Sequence, residues 1–162
     1  VLPAQQVARS SIDSSSLIHA WWRAYPPENF ESFWDRLREM TDAGIVVASV
    51  EVHNELKKKD DDVHVWCKQR SQDFCVDIDD AQQKHLGRIL GKHPRLVDTV
   101  KGRSEGDPFV IALACSFAVP LCVITQEGHG KKNSPKIPDV CLAEDIQCMN
   151  LVEFIRAEGW RF

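Results

Sequence analysis

The chain has 162 residues, 43% of them hydrophobic and 27% charged, with a formal net charge of −4 and a pI near 5.9. That is enough chain for one globular domain with a real core, and too acidic a balance for bulk charge to hold nucleic acid, so contact with RNA or DNA would need local basic patches or bound cations. Nothing approaches a transmembrane run and no charged stretch leads into an apolar one at the N-terminus, so a cytoplasmic protein without membrane contact is expected.

Residues 1–8 read as a loose arm or a remnant of cloning, and 9–162 as a single domain. Residues 8–13 suggest a brief strand ending at Asp13, and the run Ser14-Ser15-Ser16 opens a helix carrying Leu17, Ile18, Trp21 and Trp22. Pro26 and Pro27 break that helix. Phe30, Phe33, Trp34, Leu37 and Met40 then recur at helical spacing as a core stripe, closed by Gly44.

Residues 45–48 (Ile-Val-Val-Ala) form a continuous apolar run, the pattern of a strand buried on both faces of a parallel sheet. Ser49 is placed to cap the next helix, whose buried side runs through Val52 and Leu56. Glu55 falls at the rim of that side, where a carboxylate can point into a cleft. Lys57-Lys58-Lys59 followed by Asp60-Asp61-Asp62 reads as a solvated helix junction, with the lysines as possible phosphate contacts. Residues 63–74 and 79–93 read as helices, and 101–106 as a polar connection.

Asp107-Pro108 then opens a helix that is apolar nearly all round through residue 119, with Asp107 as N-cap and Pro108 in the first helical position. Such a helix is normally buried on every side, which fixes its first turn rigidly. A second buried strand, 121–125, ends at Gln126-Glu127-Gly128. Residues 128–135, with Lys131 and Lys132, form a basic loop; 136–141 suggest a short edge strand containing Pro138, and 150–158 a final helix capped by Asn150.

The six cysteines contain no C-x-x-C pair, and a domain of this size needs no staples, so reduced thiols are expected. His64-x-x-Cys67 and the Cys141/Cys148 pair lack partner pairs at zinc spacing.

Alternating strands and helices predict an α/β fold with a parallel sheet, in which ligands bind beyond the carboxyl ends of the strands. Asp13, Glu55, Asp107 and Glu127 come from four separate segments and can converge on that rim. Crowded carboxylates repel unless a cation compensates, and hard oxygen ligands without convergent His or Cys favour Mg²⁺ or Mn²⁺. Such a site can activate water for phosphodiester cleavage. The same acids also read as helix caps and ordinary surface carboxylates.

Asp13-Ser14-Ser15-Ser16-Leu17-Ile18 resembles the opening D-T-N-x-L-I motif of PIN-domain ribonucleases. Glu55-Leu56 is similar to their second acid, Gly106-Asp107-Pro108-Phe109-Val110-Ile111-Ala112-Leu113-Ala114 to their A-D-x-x-I-A-x-A helix, and Thr125-Gln126-Glu127 to the closing T-x-D. More closely, the chain resembles the PIN-like family DUF4411, through Trp21-Trp22-Arg23-Ala24-Tyr25-Pro26-Pro27, Glu55-Leu56-Lys57, Lys136-Ile137-Pro138-Asp139-Val140-Cys141 and Gly159-Trp160-Arg161-Phe162. The resemblance implies a three-layer α/β/α domain with a central, mainly parallel sheet of four to five strands. It implies a Mg²⁺- or Mn²⁺-dependent endoribonuclease, the toxin of a bacterial toxin–antitoxin pair, with RNA as substrate, an antitoxin as partner and a homodimer as a common state.

Carried over by position, Asp13, Glu55, Asp107 and Glu127 would hold the metal, with Ser15 and Thr125 as polar supports and Asp139 as a rival fourth acid. Lys131, Lys132, Lys57 and Lys58 would guide RNA phosphates. Ser15 stands where the motif has Asn, and Glu127 where it has Asp. These departures leave open a non-catalytic module that binds RNA or a protein. A phosphoacceptor receiver domain would need an adjacent acidic pair that Ile12-Asp13 does not offer, and a DNA flap nuclease would need an added DNA-gripping region.

Overall fold

The computed structural model describes residues 6–70, 74–97 and 106–162. Its centre is a five-stranded, wholly parallel sheet: β1 (Ser10–Ile12), β2 (Val46–Ser49), β3 (Cys75–Val76), β4 (Cys122–Ile124) and β5 (Cys148–Met149), in the order β3-β2-β1-β4-β5. The helices are α1 (Ser14–His19), continued by a π-helical turn (Ala20–Ala24), α2 (Glu31–Asp42), α3 (Val50–Lys59), α4 (Asp61–Lys68), α5 (Asp80–Lys92), α6 (Asp107–Cys115), α7 (Ile137–Ala143) and α8 (Leu151–Glu158). Sheet and helices together form the three-layer α/β/α arrangement. No helix among the described residues is long and apolar enough to cross a membrane.

The central strands are short and largely buried; β2 and β4 therefore read as continuous apolar runs, whereas β1 buries Ser10 and Ser11 beside Ile12. In register, Ser10 faces both Val46 and Cys122, and Ser11 faces Val47 and Val123. Ser11 is fully buried because its hydroxyl donates to the Val110 carbonyl at 3.0 Å, tying α6 to β1. Helix α6 packs on β1, β2 and β4 and is covered by α5. Its residues Val110 to Ala114 are at most 1% exposed. A second layer is built around α2, where Trp34 meets Trp66 of α4 with ring centroids 5.1 Å apart and Phe33 meets Trp160 at 5.8 Å.

Several boundaries differ from the sequence-based expectations. Residues 136–141 are not an edge strand but the start of α7: Pro138 stands in the first turn, where its missing N–H is harmless, and the Lys136 N–H donates to Asp139 Oδ2 at 2.8 Å. The helix expected over 63–74 ends at Lys68, and Phe74 leads into β3. Helix α6 stops at Cys115 and not at residue 119, leaving Val119 67% exposed. Gly106, not Asp107, holds its N-cap position, and Asp107 lies in the first turn. Residues 6–8, expected within a loose arm, are pinned: Gln6 Nε2 donates to the Val119 carbonyl, the Val119 N–H donates to Gln6 Oε1, and Ala8 is buried. Residues 1–5 and most of the polar connection expected over 101–106 lie outside the described residues.

Leu113→Ala in the middle of α6 is expected to cost about 2–5 kcal/mol in urea unfolding, the range for a buried leucine whose cavity cannot collapse. Leu142→Ala, at a side chain 76% exposed, is expected to stay within about 0.5 kcal/mol of wild type.

Candidate functional site

Chain order in the sheet reverses between β1 and β4, so the loops leaving their carboxyl ends part and open a crevice. Asp13 directly follows β1 and Thr125 directly follows β4. Beyond them lies a cleft of about 620 Å³ lined by Asp13, Ser15, Glu55, Asp107, Gln126 and Glu127, together with Ile18, His19, Trp22, Arg23 and Lys59. The four acids singled out from the sequence therefore share one cavity.

Asp13 is 3% exposed and fully engaged. Its Oδ1 accepts the Ser16 N–H at 2.9 Å, capping α1. Its Oδ2 accepts the Ser15 hydroxyl at 2.8 Å and the Thr125 hydroxyl at 2.5 Å. Burial pushes the Asp13 carboxyl above the ordinary aspartate range, against the hydrogen bonds from Thr125, Ser16 and Ser15 that pull it down. Ser15 and Thr125 extend this network: the Gln126 N–H donates to Ser15 Oγ at 3.2 Å and the Glu127 N–H to Thr125 Oγ1 at 3.1 Å. Both hydroxyls thus join the β1 and β4 loops through one carboxylate.

Glu127 is half-buried, and its Oε2 accepts the Ile137 N–H at 3.3 Å, at the start of α7. Burial raises its carboxyl above the usual glutamate value, and the charges of Asp13 and Glu55 add to the rise. Glu55 comes from α3, with 16% of its side chain exposed, and its Oε1 lies 2.5 Å from Lys59 Nζ one turn on. A Cβ at Gly106 would stand 2.5 Å from Glu55 Oε2, so the carboxylate lies against the backbone that leads into α6. Asp107, 7% exposed, follows in that first turn, where the helix dipole favours a negative charge.

Asp139 does not line the cleft. Its Oδ1 lies 2.7 Å from His129 Nδ1, and its Oδ2 accepts the N–H groups of Gly130 and Lys136 at 2.7 and 2.8 Å. Burial raises its carboxyl, but these bonds together outweigh burial and hold it below the usual range. Asp139 thus fastens the 129–136 loop. Lys57, Lys58, Lys131 and Lys132 are exposed and stand outside the cleft wall, and Lys132 faces a separate groove with Lys92, His93 and Arg95. The cations that do line the cleft are Arg23 and Lys59.

The donor set is hard oxygen, suited to Mg²⁺ or Mn²⁺. Among the described residues no group of three or more His, Cys, Asp or Glu side chains is drawn together closely enough to hold an ion. The carboxylates line the cavity without closing into a finished ligand sphere, and Lys59 supplies positive charge beside Glu55. All six cysteines are unpaired, and burial pushes the Cys122 thiol up to about 12.

Sequence reasoning missed two contributors and did not separate a third from its neighbours. Gln126 lines the cleft and accepts the Leu151 N–H at 2.9 Å, which ties the loop after β4 to the first turn of α8. Gly106 leaves room for Glu55, a role visible only once α3 and α6 are packed. Lys59 stood inside the lysine run, but only the helical phase separates it from Lys57 and Lys58.

The family described as a domain of unknown function, DUF4411, matches residues 11–162, and the chain belongs to it. No curated protein matches the chain.

The raised carboxyl of Glu127 has a definite sign in stability. Its contribution is fully present below the unfolded glutamate pKa and is lost as pH rises through the higher folded value. Without added metal, Glu127→Gln is therefore expected to raise Tm at pH 7. The gain should shrink below pH 4.5, where the wild-type carboxyl keeps its proton; differential scanning fluorimetry across pH reads both.

Proposed function

We propose that this DUF4411 protein is a PIN-like, divalent-metal-dependent endoribonuclease that cleaves RNA phosphodiester bonds. The observation that carries it is the convergence of Asp13, Glu55, Asp107 and Glu127, from four elements, on one cleft beyond the carboxyl ends of β1 and β4. Asp13 is buried and triply hydrogen-bonded, which fixes its orientation before anything binds.

Asp13, Glu55, Asp107 and Glu127 would hold Mg²⁺ or Mn²⁺, which when bound would lower the pKa of a water and neutralise charge on the phosphate. Ser15 and Thr125 keep the inner oxygen of Asp13 occupied and aim the carboxylate. Without metal, burial and the neighbouring acids disfavour the charge on Glu127, and a bound cation would relieve that cost. Arg23 and Lys59 draw the phosphate backbone towards a cleft that is otherwise negative. Such a nuclease fits the toxin of a bacterial toxin–antitoxin pair, cytoplasmic, with an antitoxin as partner and a homodimer as its working state.

A second reading is a catalytically weak module that binds RNA or a protein. The ion pair from Lys59 to Glu55 favours it, because a lysine already neutralises one of the four acids.

Cleavage of a mixed tRNA and mRNA pool with Mg²⁺, Mn²⁺ or EDTA separates the two. Metal-dependent cutting is expected, reduced at least about 100-fold in Asp13→Asn and about 10- to 100-fold in Thr125→Val, which removes a support without touching the four acids. Folded protein that cuts with neither metal would leave the binding module. Gly106→Ala, whose new Cβ displaces Glu55, is expected to weaken Mn²⁺ binding in titration calorimetry while circular dichroism stays unchanged.

A further inference from the structure

Of the five tryptophans, Trp34 and Trp66 are buried and Trp21 and Trp160 are packed against the core, whereas Trp22 is 56% exposed. Leaving an indole in water forgoes a large burial gain, so the ring calls for a reason. Trp22 lines the acidic cleft, as do His19, Arg23 and Lys59. Its ring is not loose: Nε1 donates to Asp60 Oδ2 at 2.5 Å, across from the π-helical turn to the junction of α3 and α4. Asp60 uses its other oxygen to accept the Val63 N–H at 3.1 Å and cap α4. The tether is thus itself anchored.

The backbone under Trp22 is also unusual. The Tyr25 N–H donates to the Ala20 carbonyl at 2.8 Å, five residues back, and so closes a π-helical turn. A π turn inserts a residue into the helix and redirects the side chains on it, and such turns recur at functional sites. Here the two neighbouring tryptophans part: Trp21 meets Trp34 edge-on at 5.0 Å in the core, and Trp22 is left at the cleft.

We propose that Trp22 is a stacking platform for a nucleobase of the strand that enters the cleft, held in place by Asp60 and flanked by Arg23 for the adjoining phosphate. This rests on the endoribonuclease reading for the identity of the strand. An indole face takes any base, so the platform positions the strand without selecting its sequence. Arg23 is exposed and enters no ion pair among the described residues, leaving its charge for an anion. An apolar peptide would find only Ile18 beside Trp22 in a cleft otherwise polar and charged, which favours a base with its phosphate as the occupant.

The test uses the full chain in EDTA at low ionic strength, with two probes: a short single-stranded RNA of mixed sequence, and an abasic ribose-phosphate strand of equal length. The RNA is expected to quench tryptophan fluorescence and the abasic strand is not, with the quenching absent from Trp22→Phe. Trp22→Ala is expected to weaken RNA binding about 5- to 150-fold, the range for one base stacked on an aromatic ring, and Trp22→Phe less. Asp60→Asn keeps a cap for α4 but loses the acceptor for the indole, so it should weaken binding at unchanged Tm. Equal binding of both strands, an unaffected Trp22→Ala, or no binding of either strand would overturn the platform. Cleavage assays on the same preparations keep the two ideas apart. Cutting that Trp22→Ala leaves at wild-type KM removes the platform and retains the nuclease, whereas base-dependent quenching without cutting retains the platform and removes the nuclease.

Discussion

One carboxylate holds the site together. Asp13 leaves β1 buried, caps α1 through one oxygen and binds the hydroxyls of Ser15 and Thr125 through the other. Thr125 begins the loop after β4, so a single side chain joins the two loops that part at the switch point of the sheet. A buried carboxylate left without partners would cost several kcal/mol or take up a proton. Three donors reduce that cost but do not abolish it, as the upward push of burial on Asp13 records. The cleft is therefore built with a deficit of positive charge at its floor.

The remaining acids inherit their positions from packing. Helix α6 has no polar face, so it is locked among β1, β2, β4 and α5, and its first turn cannot drift. That is what fixes Asp107. Glu55 reaches the same cavity from α3 because Gly106 carries no side chain to stop it. Glu127 is placed last, by its hydrogen bond to the start of α7. Each acid is thus set by a different element, and Thr125 couples the loop of Asp13 to that of Glu127.

Opposite charge enters the same cleft. Lys59 pairs with Glu55, and Arg23 stands exposed beside Trp22. A cleft lined by four acids and two cationic side chains suits a ligand carrying both a cation and phosphate groups. The exposed lysines elsewhere do not line it: Lys132 lies across a separate groove with Lys92 and Arg95.

The α/β class, the three longest core helices, the buried strands β2 and β4 and the acids as candidates at element ends were legible in the residues because each rests on a local signal: an apolar run, a cap or helical spacing. Strands β3 and β5 were not, since two residues carry no periodicity and exist only by pairing with Ala48 and Val123. Residues 136–141 misled because Pro138 fits an edge strand and a first helical turn equally well, and Asp139 decides between them only by bonding back to the Lys136 N–H. Asp139 and Glu127 likewise look equivalent as letters; which of them faces the cleft depends on how the 129–136 loop folds over α7. The sequence by itself determined which groups could act, because side-chain chemistry and helical phase are local properties. Tertiary structure alone decided which of them meet, because the distances from Glu55 to Gly106, from Trp22 to Asp60 and from Thr125 to Asp13 are set by packing between segments far apart in the chain.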